Sequence, residues 1–165
     1  MKKIIEQDQF NRTLKRMTHE IIERNDDLSK VILVGIERKG TPIAKEIKEL
    51  ILRFEGVDVP LEALNINSHR DDHKKNIEDK SVFKNNINDH TIVLVDDVLF
   101  TGRSVRAAID AIIDMGRPSK VMLAVFVDRG HRELPIRADF VGKSIPTSRS
   151  ETVVVDYENR EVIIK

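Results

Sequence analysis

Thr91–Val105 reads TIVLVDDVLFTGRSV. The four apolar residues Ile92–Val95 make a short buried strand. Two adjacent carboxylates, Asp96 and Asp97, stand at its carboxyl end. A turn, Phe100-Thr101-Gly102-Arg103-Ser104, leads into a helix whose apolar side is Val105, Ala108, Ile109, Ile112 and Ile113. In open α/β sheets, ligands lie just beyond the carboxyl ends of the strands. Free N–H groups and the dipole at a helix N-terminus attract anions. Gly102 allows close backbone approach, and Thr101 and Ser104 add hydroxyl donors. The stretch can therefore seat a phosphate in its turn and a sugar diol on its acids.

Outward from this unit the same grammar repeats. Val31–Gly35 predicts a buried strand, followed by a helix opening at Thr41-Pro42, with proline at the favoured first position. Its apolar side is Ile43, Ile47, Leu50, Ile51 and Phe54, and Gly56 stops it. Val57–Leu64 predicts another strand, Val121–Val127 a further buried one, and Phe140–Ile145 a short one. Phe10–Arg24 is an amphipathic helix with Phe10, Leu14, Met17 and Ile21 inward. Thr152–Tyr157 and Val162–Ile164 predict a hairpin around Glu158-Asn159. Strands alternating with helices imply parallel βαβ units, here one doubly wound α/β domain over residues 1–165 with a small C-terminal extension. Asn65–His90 is polar and aperiodic, the profile of a functional or mobile loop.

Composition narrows the class. The chain has 165 residues, enough for one domain with a real core. Lys plus Arg equals Asp plus Glu at 28 each, so overall charge does not point to nucleic acid. The absence of cysteine excludes disulfides, thiolate metal sites and cysteine nucleophiles, and suits a cytoplasmic protein. MKKIIEQDQF lacks the apolar core of a signal peptide, and no apolar run approaches membrane-spanning length.

Gly35-Ile36-Glu37-Arg38-Lys39-Gly40 ends the first predicted core strand and precedes a helix, which makes a second anion site. Two phosphate loops on neighbouring parallel strands suit a ligand with phosphates at both ends. The acid pair and Thr-Gly turn resemble the 5-phosphoribosyl-1-pyrophosphate (PRPP) signature of the type I phosphoribosyltransferases. The resemblance implies that Asp96 and Asp97 contact the ribose hydroxyls and the water shell of a Mg²⁺ ion carried with PRPP. It implies that Val98, Leu99, Phe100, Thr101, Gly102, Arg103 and Ser104 wrap the 5′-phosphate. Arg38, Lys39 and Gly40 then hold the pyrophosphate, in a loop that often contains a non-proline cis peptide. Arg38 joins the acid pair as a catalytic group. Ser68 and Arg70, in a loop that in this family closes over PRPP, are further pyrophosphate contacts. His69 stands near a position where the family commonly has tyrosine. Asp71-Asp72-His73 reads as a solvated loop and not as a metal site, since no further ligand stands at a defined spacing.

The segment Val127-Asp128-Arg129-Gly130 follows the fourth predicted core strand and is the natural seat of an acceptor base. Purine-salvage members usually carry an acid just before the Thr-Gly of the turn. Phe100 replaces it here and favours a pyrimidine.

A closer resemblance covers essentially the whole chain. THEIIERN, ILVGIERKG, VLVDDVLFTGRSVRAAIDAIIDMGRPS and VDRGHRELPIRADFVGKSIPTS are similar to the family of bifunctional pyrimidine operon regulators. Membership implies uracil phosphoribosyltransferase activity, response to uridine nucleotides such as UMP and UTP, binding of the operon's leader mRNA, transcription attenuation, and assembly into homodimers or larger homo-oligomers. Arg12, Lys15, Arg16 and His19 lie near one side of the first helix, opposite its apolar stripe. Arg117–Arg149 holds seven Lys or Arg against three Asp or Glu, so a neutral chain can still present a basic patch. The positions matching the family's RNA-binding residues are Arg16, His19, Arg24, His131, Arg132, Arg137 and Lys143. Lys15 stands where some relatives have threonine. The competing reading is a salvage phosphoribosyltransferase without RNA binding.

Overall fold

A computed structural model describes residues 1–69 and 82–165. Five parallel strands form the central sheet: β2 (Val31–Ile36), β3 (Leu61–Leu64), β4 (Thr91–Leu99), β5 (Lys120–Asp128) and β6 (Phe140–Ser144), in the spatial order β3-β2-β4-β5-β6. Three helices cover it: α1 (Gln7–Glu23), α2 (Gly40–Glu55) and α3 (Arg103–Met115). The expected doubly wound arrangement follows from strand alternation. Leu33, Val93, Val95, Ala124 and Phe126 face α1 and α2, whereas Val34, Leu94, Leu123 and Val125 face α3. Each central strand is apolar on both faces, as a sheet sandwiched between helices requires. Gly56 ends α2 in the left-handed conformation, at φ 68°.

Several boundaries differ from the sequence reading. The strand predicted over 57–64 is only Leu61–Leu64, since Pro60 cannot donate to a ladder. Helix α2 begins at Gly40, so Pro42 is its third residue and not its first. β4 runs on through Leu99, which places Asp96 and Asp97 within the strand's last turn of pleat. The predicted C-terminal hairpin is β7 (Val153–Asp156) with β8 (Glu161–Ile164). It gains an unforeseen third strand, β1 (Lys2–Ile5), antiparallel to β8. The side chain of Arg160, at the hairpin turn, donates to Glu46 of α2 and Asn11 of α1, and lies 4.8 Å from the Phe10 ring centroid. Tyr157 donates to Glu46 at 2.7 Å, and burial together with Glu46 pushes its hydroxyl up to about 12. This polar clamp fastens the small sheet to the helices that carry the site.

Candidate nucleotide site and basic face

The carboxyl ends of β2, β3 and β4 converge on a cleft of about 400 Å³ lined by Ile36–Lys39, Asn65–Asn67, Asp96–Val98 and Ser104. The pairing of β2 with both neighbours aligns Gly35 with Val95 of β4 and Ile36 with Leu64 of β3. Register alone therefore gathers the two loops predicted to hold phosphate.

Gly40 sets their spacing. A Cβ there would stand 2.3 Å from the carbonyl oxygen of Val95 and 3.0 Å from Cα of Asp96. Only a residue without a side chain lets the N-terminus of α2 rest directly on β4. Ahead of it, Glu37–Arg38 is a cis peptide, as the resemblance implied, and the Arg38 and Lys39 side chains are exposed.

The acid pair is asymmetric. Asp96 is buried, and its Oδ1 accepts from the Asp97 amide at 2.9 Å. Burial, and then the charge of Asp97, pushes the Asp96 carboxyl well above the usual carboxylate range. Asp97 is half-buried and lines the cleft, its Oδ1 accepting from the Val98 amide at 2.8 Å. Beyond them Gly102 takes φ 95° at the N-cap of α3, a left-handed turn that favours glycine. The Arg103 amide that opens α3 donates to the Thr101 hydroxyl at 3.3 Å, and the amides just after it have no acceptor within the helix. Ser104 lines the cleft.

Other predicted residues are placed differently. Ser68 is buried, and its hydroxyl meets Nδ1 of His69 at 2.8 Å, while Nε2 of His69 meets Asp114 of α3 at 2.6 Å. Ser68 is not among the residues lining the cleft, and Arg70 and Asp71-Asp72-His73 lie outside the described residues. Asn65, Ile66 and Asn67 were missed as cleft residues. The signal was available, since they follow a strand beside the first phosphate loop and strand carboxyl ends gather ligands.

The 127–130 segment is largely engaged within the protein. The Arg129 amide donates to Leu99, the Arg129 carbonyl accepts from the Thr147 hydroxyl, and the Gly130 amide donates to the Asp128 carboxylate. The Arg129 guanidinium is buried 3.9 Å from the Phe100 ring centroid and donates to Ser148 at 2.8 Å. Val127 is fully buried, whereas Asp128 and Gly130 line an open hollow of about 670 Å³ with His131, Arg132, Arg137 and Val141.

That hollow connects to α1. The Arg16 guanidinium donates to the carbonyls of Val141 and Gly142 on β6, and Arg24 lies 5.6 Å from the Phe140 ring centroid. Lys143 belongs to the same edge strand, and His19 stacks on Phe54 of α2 at 4.4 Å. The structure thus brings Arg16, Arg24, His131, Arg132, Arg137 and Lys143 to the β6 edge of the sheet, with His19 on the neighbouring face of α1. A hollow ringed by three basic side chains can seat a phosphate chain.

No group of three or more potential metal ligands occurs among the described residues. The donor set still fits Mg²⁺, which favours oxygen ligands, keeps several waters and is commonly held by one or two carboxylates plus a substrate's phosphates. Among the described residues, no helix is long and apolar enough to cross a membrane.

The phosphoribosyl transferase domain family matches residues 2–160. The bifunctional protein PyrR of Streptococcus suis is 53% identical over 154 residues, covering 93% of this chain and 88% of that protein. The bifunctional protein PyrR of Caldicellulosiruptor bescii is 52% identical, covering 98% and 94%. The pyrimidine operon regulatory protein of Lactococcus lactis is 48% identical, covering 99% and 96%. Among solved structures, the hypoxanthine phosphoribosyltransferase of Trypanosoma cruzi superposes with a TM-score of 0.77 at 15% identity, covering 99% of this chain and 95% of that one. The likeness at that identity concerns the fold. The sheet order, the two loops gathered at the strand ends and the near-full-length identity agree, and this chain belongs to the phosphoribosyltransferase family, in its group of bifunctional pyrimidine operon regulators.

Proposed function

We propose that this protein binds the leader RNA of the pyrimidine operon in response to uridine nucleotides, and that it also converts uracil and PRPP to UMP and pyrophosphate. The cleft between the acid pair and the Arg38-Lys39 loop carries the enzymatic reading. In that reading Asp96 and Asp97 hold the ribose diol, and the negative charge of the pair, centred on the more exposed Asp97, favours the cationic, oxocarbenium-like anomeric carbon. Thr101–Ser104 and the N-terminus of α3 hold the 5′-phosphate. Arg38 and Lys39 face the pyrophosphate as the C1–O bond breaks and uracil N1 bonds to C1 with loss of its proton. Mg²⁺, when bound with PRPP, supplies neutralisation of the pyrophosphate charge. Phe100 in place of an acid supports a pyrimidine acceptor, seated beside Asp128 and Gly130. A cytoplasmic location suits both substrates and RNA.

The basic hollow and the α1–β6 edge support the regulatory reading, because six basic side chains from distant parts of the chain meet there. An oligomer would extend that face across subunits.

A gel shift with the leader RNA of the organism's own pyrimidine operon, at fixed salt, tests the reading. Tighter binding with UMP is expected. A folded protein that binds no RNA with or without UMP, yet turns over uracil and PRPP, would leave the salvage-enzyme alternative.

A further inference from the structure

We infer that the phosphate turn 100–104 and the basic segment 129–137 form one mechanically braced unit, through which nucleotide occupancy sets the order, and hence the RNA affinity, of the His131–Arg137 hollow. The inference rests on the regulatory reading above and names the route of its nucleotide response.

Residues 130–137 contain no helix or strand of their own, and Gly130 and His131 both have positive φ, at 82° and 69°. The segment takes its order from the turn beside it. The Arg129 amide donates to Leu99 at 3.1 Å and the Glu133 amide to Thr101 at 2.9 Å. The Glu133 carboxylate meets Nε of Arg103, the first residue of α3, at 3.1 Å. Ile136 and Leu134 cover Gly102, since a Cβ on that glycine would lie 3.5 and 3.7 Å from theirs. Phe100 contacts the Arg129 guanidinium and meets the His131 ring in a T-shaped pair with centroids 5.7 Å apart. Every residue of the turn from Phe100 to Arg103 thus touches or bonds the basic segment.

The consequence is thermodynamic. A 5′-phosphate seated on the turn restrains Thr101 and Gly102, and the struts pass that restraint to Glu133 and Ile136. His131, Arg132 and Arg137 then lose less conformational freedom when RNA docks, which is positive coupling. Reciprocity requires RNA to tighten nucleotide binding by the same factor.

Glu133→Gln and the double variant Glu133→Gln/Ile136→Ala test this in the full chain. Neither residue belongs to the nucleotide or RNA contacts assigned above. The readout is the ratio of leader-RNA affinities with and without UMP at fixed salt, so a general change in surface charge cancels. Glu133→Gln removes two exposed ion pairs, to Arg103 and to Arg149, of which only the first spans the brace, and it should shrink the ratio by up to about fivefold. The double variant should bring it close to one, with UMP affinity and uracil turnover unchanged without RNA. In the wild type, UMP should slow amide exchange across 130–137, and in the double variant it should not. A folded double variant that keeps the wild-type ratio overturns the brace alone, as does wild-type exchange in 130–137 that ignores UMP. Wild-type protein that binds UMP but no leader RNA overturns the regulatory reading and the brace with it.

Discussion

Gly40→Ala probes the spacing on which the proposed nucleotide cleft depends. Alanine at the start of a helix ordinarily stabilises it relative to glycine, by about 0.5–1 kcal/mol. The structure reverses that sign. The added methyl would stand 2.3 Å from the Val95 carbonyl oxygen, whereas ordinary contact begins at 3.4 Å. The N-terminus of α2 must therefore retreat from β4 by roughly 1 Å. Overpacking of this kind costs about 1–3 kcal/mol, or about 2–12 °C of Tm for a domain of this size. The same retreat carries Arg38 and Lys39 away from Asp96 and Asp97, and a misplacement of about 1 Å costs on the order of 100-fold in rate. Thermal unfolding followed by circular dichroism gives the first quantity. Initial rates of UMP formation at varied PRPP give the second. A variant more stable than wild type, with kcat/KM for PRPP within a few-fold of it, would refute the claim that direct contact between α2 and β4 sets the site.

Asp97→Asn removes a cleft-facing charge without changing side-chain size, so turnover of PRPP should fall by about 10²–10³-fold while Tm holds; near-normal uracil turnover would refute its role. Arg160→Ala strips Glu46 of a charged partner and should cost about 1–3 kcal/mol in urea unfolding. Its pH dependence has a definite sign. Burial raises the Glu46 carboxyl, but hydrogen bonds from Arg160 and Tyr157 outweigh it and hold that carboxyl below its usual range. The clamp's contribution is therefore present above the usual glutamate value and is lost as pH falls through the lower folded value. The deficit of the variant should shrink in acid, and a deficit that grows there would show that the clamp is not ionic. Arg137→Ala should weaken leader-RNA binding and reduce the slope of log affinity against log salt by about one, as removal of one phosphate contact requires. An unchanged slope would take Arg137 off the phosphate path.

Much of this was legible in the residues. TIVLVDDVLFTGRSV announces its strand, acids, turn and helix because apolar runs, carboxylates, glycine and hydroxyls have local conformational meaning. The parallel sheet follows from the alternation of such units, and the hairpin from Glu158-Asn159 between two apolar runs. Lengths proved harder. β4 continues through its own acid pair because pairing with its neighbours overrides local propensity, and β3 is shortened because Pro60 cannot donate to a ladder.

What the chain alone determined, then, is chemistry: which residues bear charge, which turns accept an anion, and which segments bury themselves. Partnership was decided by the tertiary structure. No local pattern could tell that β1 joins the terminal hairpin, or that Arg129 spends its charge on Phe100 and Ser148. Those contacts join residues from 19 to 162 positions apart, and their geometry exists only once sheet register and helix packing have closed the distance.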